Sequence, residues 1–176
     1  MENIQHLLID ASNATSEIRI LSAEKKQQVL NTLADELLAN TSNIIAENLK
    51  DLNRMDDADP KKDRLLLNSE RIEGLAASVR EVSQLEDPTG KVILERTMDN
   101  GLFIKKKTVA LGVVGVIYEA RPNVTIDVAA LCIRSGNVCL LRGGSDADAT
   151  NLCLVTIIQN VLKSYNLNPN IVQLLP

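Results

Sequence analysis

The chain of 176 residues has a formal net charge of −4 and is 45% hydrophobic, yet holds one Phe, two Tyr and no Trp. Its core, expected to be that of a domain of ordinary size, must therefore be aliphatic, and stacking platforms for nucleic acid are lacking. No run approaches a membrane span and no signal-peptide pattern opens the chain, so a cytoplasmic protein with no membrane partner is expected.

Residues 1–86 read as helical throughout. Ser22 is a good N-cap, and Val29, Leu30, Leu33, Ala34, Leu37 and Leu38 recur at helical spacing. Thr41 or Ser42 restarts the pattern, with Ile44, Ile45, Leu49 and Leu52 on one face. Residues 55–63 are polar, contain Pro60 and read as a loop. Asn68 or Ser69 caps a further helix carrying Ile72, Leu75, Ala76, Val79 and Val82. No face gathers a catalytic constellation, and the lone His6 sits near a terminus that should fray.

At Asp87-Pro88-Thr89-Gly90 the period changes. Residues 92–97 and 102–109 read as strands joined through Asp99-Asn100-Gly101, a hairpin signal. Lys105, Lys106 and Lys107 lie on the second strand. Alternation along a strand sends them to opposite faces, which favours a protected, charged edge over a phosphate-attracting patch.

Residues 112–145 organise the rest. The β-branched run 113–118 reads as a strand covered on both faces. The break at Ala120-Arg121-Pro122-Asn123 starts a helix over 124–133, with Pro122 in its first turn and Gly136 as its C-terminal cap. A second strand, 138–141, ends at Arg142-Gly143-Gly144-Ser145. The conspicuous polar groups of this β-α-β unit (Glu119, Arg121, Asn123 and Arg142) fall at the carboxyl ends of the strands, where open parallel sheets bind ligands. A helix over 149–162, a turn at 166–170 and a strand over 171–175 follow. A third parallel strand without a covering helix gives the sequence an unfinished look.

Charge supports the same placement. Residues 1–100 hold 12 Lys/Arg against 19 Asp/Glu, whereas residues 101–176 hold 7 against 4, so the second part is the better host for an anion. Common phosphate cradles are missing: there is no Gly-x-Gly-x-x-Gly and no Gly-Lys-Ser/Thr. Gly112-x-x-Gly115 reads as close backbone packing. Arg142-Gly143-Gly144 offers an Arg for phosphate and backbone that a ligand can approach. Cys132, Cys139 and Cys153 lack metal-ligand spacing and sit in apolar runs, as buried, reduced thiols do.

The run Val116-Ile117-Tyr118-Glu119-Ala120-Arg121-Pro122-Asn123-Val124-Thr125, followed by Leu141-Arg142-Gly143-Gly144-Ser145, resembles gamma-glutamyl phosphate reductase, a family of the aldehyde dehydrogenase superfamily. The resemblance covers the whole chain. It implies an α/β fold in which N-terminal helices (1–86) and an oligomerisation-type β-hairpin (87–110) lead into an incomplete Rossmann-like parallel sheet. Residues 111–176 would be the first part of the NADP-binding domain, and the catalytic domain would be absent.

The implied activity is NADPH-dependent reduction of L-glutamyl 5-phosphate to L-glutamate 5-semialdehyde and phosphate, in proline biosynthesis. Homo-oligomerisation through the hairpin and a functional contact with glutamate 5-kinase are implied as well. Asn123 matches the superfamily asparagine that stabilises an oxyanion. Arg142 stands where relatives place a basic residue near the 2′-phosphate. Ala120, Arg121, Gly143 and Gly144 would line the cofactor groove, Arg121 being also a candidate for the acyl phosphate or substrate carboxylate. None of the three cysteines occupies the family's nucleophile motif, so the chain alone is expected to be inactive. The alternatives are the reductase half of a bifunctional kinase-reductase and a non-catalytic nucleotide-binding or interaction module.

Overall fold

Among the described residues, which are 4–56 and 58–176 of this computed structural model, five helices precede the first strand. They are α1 (Ile4–Arg19), α2 (Ala23–Ala39), α3 (Thr41–Leu52), α4 (Lys62–Leu65) and α5 (Ser69–Gln84). The side chains of Ser22 and Asn68 cap α2 and α5, accepting from the N–H groups of Lys25 and Arg71 at 3.2 and 2.8 Å. Thr41 does not cap α3: it is the first helical residue, and its hydroxyl donates back to the Leu38 carbonyl at 2.8 Å. The expected loop over 55–63 gives way to α4 at Lys62, and its Asp57 lies outside the described residues.

Strands β1 (Val92–Thr97) and β2 (Phe103–Lys107) form an antiparallel hairpin. Its loop has three residues: Met98 and Leu102 pair at 2.9 Å, Gly101 N–H reaches Met98 O, and Gly101 takes φ +85°. That is a turn closed by a left-handed glycine. Lys105 meets Glu95 across the strands at 2.6 Å. The hairpin is exposed along almost its whole length, Ile93 by 60% and Phe103 by 56%.

Strands β3 (Val113–Ile117), β4 (Val138–Arg142) and β5 (Val172–Leu174) form a parallel sheet in that order, with helices α6 (Pro122–Arg134) and α7 (Asp148–Ser164) as crossovers. Strand β4 is buried except at its last residue. Strand β3, expected to be covered on both faces, is covered on one: it stands at the sheet edge, and Val113, Gly115 and Ile117 are exposed. An added Cβ at Gly115 would meet nothing within 4 Å, so close packing does not account for that glycine. Gly136 does close α6. At φ +72° it donates to Ile133 O while Asn137 donates to Cys132 O, which satisfies two terminal carbonyls.

One continuous core joins the helical start to the sheet. Ile18, Leu30, Leu33 and Ile72 are buried in the same cluster as Ile126, Ile133, Leu141 and Leu154. Full burial of each such side chain contributes about 1.5–3 kcal/mol. Polar ties cross the same seam. The buried Lys26 ammonium bonds Asp87 at 2.8 Å, and the Arg134 guanidinium donates to the Leu85 and Ala23 carbonyls. Cys132, Cys139 and Cys153 are buried and free. No helix among the described residues is long and apolar enough to cross a membrane.

Candidate functional site

Two cavities are lined in part by the segment that leads from β3 into α6, the first also by the residues that follow β4. One, of about 290 Å³, is lined by Lys61, Arg64, Glu119, Ala120, Gly144 and Asp146. The other, of about 310 Å³, includes Arg64, Leu66, Arg71, Gly74, Leu75 and Asn123. Arg64 belongs to both walls.

The turn between β3 and α6 places Asn123. Arg121 N–H bonds Glu119 O at 2.8 Å, Arg121 is extended (φ −132°, ψ 94°) as a residue before proline should be, and Pro122 opens the helix. The N-cap position is Arg121, so Asn123 is not the cap of α6. Asn123 is exposed in the first turn, with Nδ2 3.5 Å from Asp127 Oδ2. Asp127 Oδ1 in turn accepts from Ser78 on α5 at 3.3 Å. Among the described residues the Asn123 amide makes no hydrogen bond to the backbone, and Asn123 lines the second cavity.

The glycines have a structural reason of their own. A Cβ at Gly143 would lie 2.4 Å from Asn151 Nδ2 and 3.2 Å from the Tyr118 ring; one at Gly144 would lie 2.9 Å from Ala120 N. Only glycine lets the end of β4 pass this close to the end of β3, and that passage puts Gly144 and Ala120 on one cavity wall. Beneath runs a buried relay. Thr125 gives its one hydroxyl proton to Asn151 Oδ1 at 2.7 Å, so Tyr118 O–H must donate to Thr125 at 2.6 Å. Burial pushes the Tyr118 phenol up from its ordinary pKa, only partly opposed by the bond to Thr125.

The remaining predicted residues divide. Arg142 is half-buried and its Nη1 donates to Gly143 O at 2.9 Å, outside both sets of lining residues. Arg121 is exposed, with Nε 3.4 Å from Glu119 Oε2. Ala120 and Gly144 line the first cavity; Gly143 stands behind it.

Sequence reasoning missed the wall supplied from residues 61–75. A buried polar cluster holds it. Asn48 Nδ2 donates to Leu65 O at 2.9 Å and its Oδ1 accepts from Leu67 N–H at 2.8 Å, pinning both sides of the α4 exit. The same amide reaches Thr150 Oγ1 at 3.1 Å. Asp51, wholly buried, accepts from the N–H groups of Ala149 and Thr150 and from the Thr150 hydroxyl, and is ion-paired with Arg54. Helix α7 has no side-chain cap from its own N-cap residue, Ala147, so a carboxylate on α3 serves as its cap. Arg71 fastens the other side through the Asp63 and Leu66 carbonyls.

No candidate metal cluster of His, Cys, Asp or Glu occurs among the described residues. A dinucleotide fits the chemistry of the first cavity: a cleft at parallel strand ends whose wall carries Lys61 for phosphate beside Gly144.

A scan against models of known protein families finds no match. The chain is 51% identical over 174 residues to a gamma-glutamyl phosphate reductase of Legionella pneumophila (strain Lens), covering 99% of this chain and 42% of that protein. The crystal structure of gamma-glutamyl phosphate reductase from Thermotoga maritima superimposes with a TM-score of 0.94 at 30% identity, covering 99% of this chain and 43% of that one. A glyceraldehyde-3-phosphate dehydrogenase from Methanocaldococcus jannaschii, complexed with NADP, shares the fold at a TM-score of 0.70 and 19% identity, covering 99% and 36%. The chain thus spans about two-fifths of the length of the curated relatives it matches. Sequence and fold agree that it belongs to the gamma-glutamyl phosphate reductase family, corresponding to the N-terminal part of those proteins.

Proposed function

We propose that this chain supplies the cofactor cleft and the oxyanion donor for NADPH-dependent reduction of L-glutamyl 5-phosphate to glutamate 5-semialdehyde and phosphate, a step of proline biosynthesis. The observation that carries the proposal is a pair of cavities that share Arg64 as a wall, one also lined by Ala120 and Gly144 and the other by Asn123. Family membership supplies the substrate; chemistry supplies the division of labour.

NADPH, when bound, supplies the hydride. Gly144 and Ala120 would bind it through backbone and Lys61 through charge, while Arg142 and Arg121 are the further cations within reach of the same strand ends. Asn123 would donate its amide to the acyl oxygen as negative charge develops there. A neutral donor stabilises that charge without binding the ground state equally well. The nucleophile is a thiolate beyond these 176 residues: Cys132 and Cys139 are buried, and burial pushes the Cys153 thiol up, opposite to what a nucleophile needs. Assembly of copies through the exposed hairpin, and a contact with glutamate 5-kinase, belong to the same proposal.

Its test is the reverse reaction. The chain extended to its relatives' full length should reduce NADP only when glutamate semialdehyde and phosphate are both present, whereas the 176 residues alone should not. Turnover by the 176 residues alone, or no phosphate requirement in the extended chain, counts against the proposal.

A further inference from the structure

We propose that Arg64, which lines both cavities, binds the phosphoryl group of the acyl-phosphate substrate. The proposal rests on the reductase reading above and names the residue that holds the group to be expelled. Arg64 is the residue common to both walls. On one side its neighbours are Ala120 and Gly144; on the other it shares a cavity with Asn123. In an acyl phosphate the carbonyl oxygen and the bridging oxygen to phosphorus sit on the same carbon. A donor for the first and a cation for the second must therefore line the same cavity, as Asn123 and Arg64 do.

Its competitors are otherwise engaged. The Arg71 guanidinium is committed to the Asp63 and Leu66 carbonyls and the Asp63 carboxylate. Arg142 donates to Gly143 O. Among the described residues the Arg64 side chain makes one long ionic contact, 3.8 Å to Glu119 Oε2, and is 56% exposed. Glu119 is shared with Arg121 at 3.4 Å, so the acid facing Arg64 is already partly countered. The backbone beneath is rigid: Leu65, next in sequence, is buried and its carbonyl is held by Asn48. A planar fork on a fixed base suits a tetrahedral phosphoryl group and can hold it in two hydrogen bonds.

Phosphate also leaves in the reaction. Attack by the thiolate forms the carbon–sulfur bond, the carbon–oxygen bond to phosphate breaks, and phosphate departs with the electron pair. A cation on that oxygen stabilises the departing charge. Lys61, which lines only the cofactor-side cavity, is left for the nucleotide.

Calorimetric titration of the chain with inorganic phosphate, and separately with adenosine 2′,5′-bisphosphate, tests the assignment without turnover. Arg64→Gln should weaken phosphate roughly tenfold, the loss expected for a charged hydrogen bond, and leave the adenosine compound nearly unchanged. Lys61→Gln should do the reverse, and Arg64→Lys should retain most phosphate binding. Unchanged melting of Arg64→Gln shows that the fold is kept. Wild-type chain that binds no phosphate overturns the proposal. So does Arg64→Gln binding phosphate normally, or losing both probes equally. Because binding is read directly, the result stands whether or not the extended chain reduces NADP.

Discussion

Asp51 and Thr150, 99 positions apart, are joined twice: Asp51 Oδ2 accepts the Thr150 backbone N–H at 2.8 Å and its hydroxyl at 2.6 Å. A wholly buried carboxylate on α3 thereby caps the start of α7, next to the Asn48 amide that holds the loop walling both cavities. Asp51→Ala should destabilise the chain by about 2–4 kcal/mol, since it removes the cap and strands buried donors. The check is a lowered denaturation midpoint with an unchanged slope. A loss below about 0.5 kcal/mol would mean that water replaces the carboxylate freely.

Acid should act through Asp87. Its burial alone would raise the pKa, but the hydrogen bonds from Lys26 and from the N–H and hydroxyl of Thr89 outweigh that and hold the carboxyl below its usual value. A depressed folded-state pKa stabilises the fold above the unfolded value, near 4, and the contribution is lost as pH falls through the folded value. Asp87→Asn should flatten the fall in stability below about pH 4. At neutral pH it should be less stable than wild type, because Lys26, only 1% exposed, loses its partner. Parallel pH–stability curves for the two proteins would exclude Asp87 as the acid-sensitive group.

Asn123 separates chemistry from folding more cleanly than a capping asparagine could. It holds no helix-terminal N–H, so Asn123→Ala should leave the melting temperature within a degree or two. In the chain extended to its relatives' length, turnover should fall roughly 10²–10³-fold with little change in substrate affinity. Near-normal turnover would remove Asn123 from the catalytic machinery.

The hairpin should drive association. Ile93, Leu94 and Phe103 are exposed on paired strands that no third strand borders among the described residues. Sedimentation velocity should show mass rising with concentration, and the double substitution Ile93→Lys, Phe103→Lys should suppress the rise. A monomer at every concentration would argue against this surface as an assembly edge.

The β-α-β unit was legible because its signals are local: β-branched runs, a proline at a helix start, a glycine at its end. The hairpin was legible for the same reason. The wall carrying Arg64 was not, since 55–63 reads as polar loop and the bonds that fix the loop's exit come from Asn48, 17 and 19 positions upstream of its partners. Asp51 looks in sequence like any polar residue near a helix end. Gly143 and Gly144 were legible as glycines, but the close approach of Asn151 and Ala120 that also requires them was not, because spacing along the chain does not reveal it.

Arg134 links three helix ends at once, lying in the last turn of α6 and donating to Leu85 O just past α5 and Ala23 O at the start of α2. Together with the shared core, that makes the helical start and the sheet open and close as one unit. Amide hydrogens in α2, α5, α6 and β4 should then exchange with a common free energy, set by global unfolding, while those of β1 and β2 exchange earlier through their own local opening.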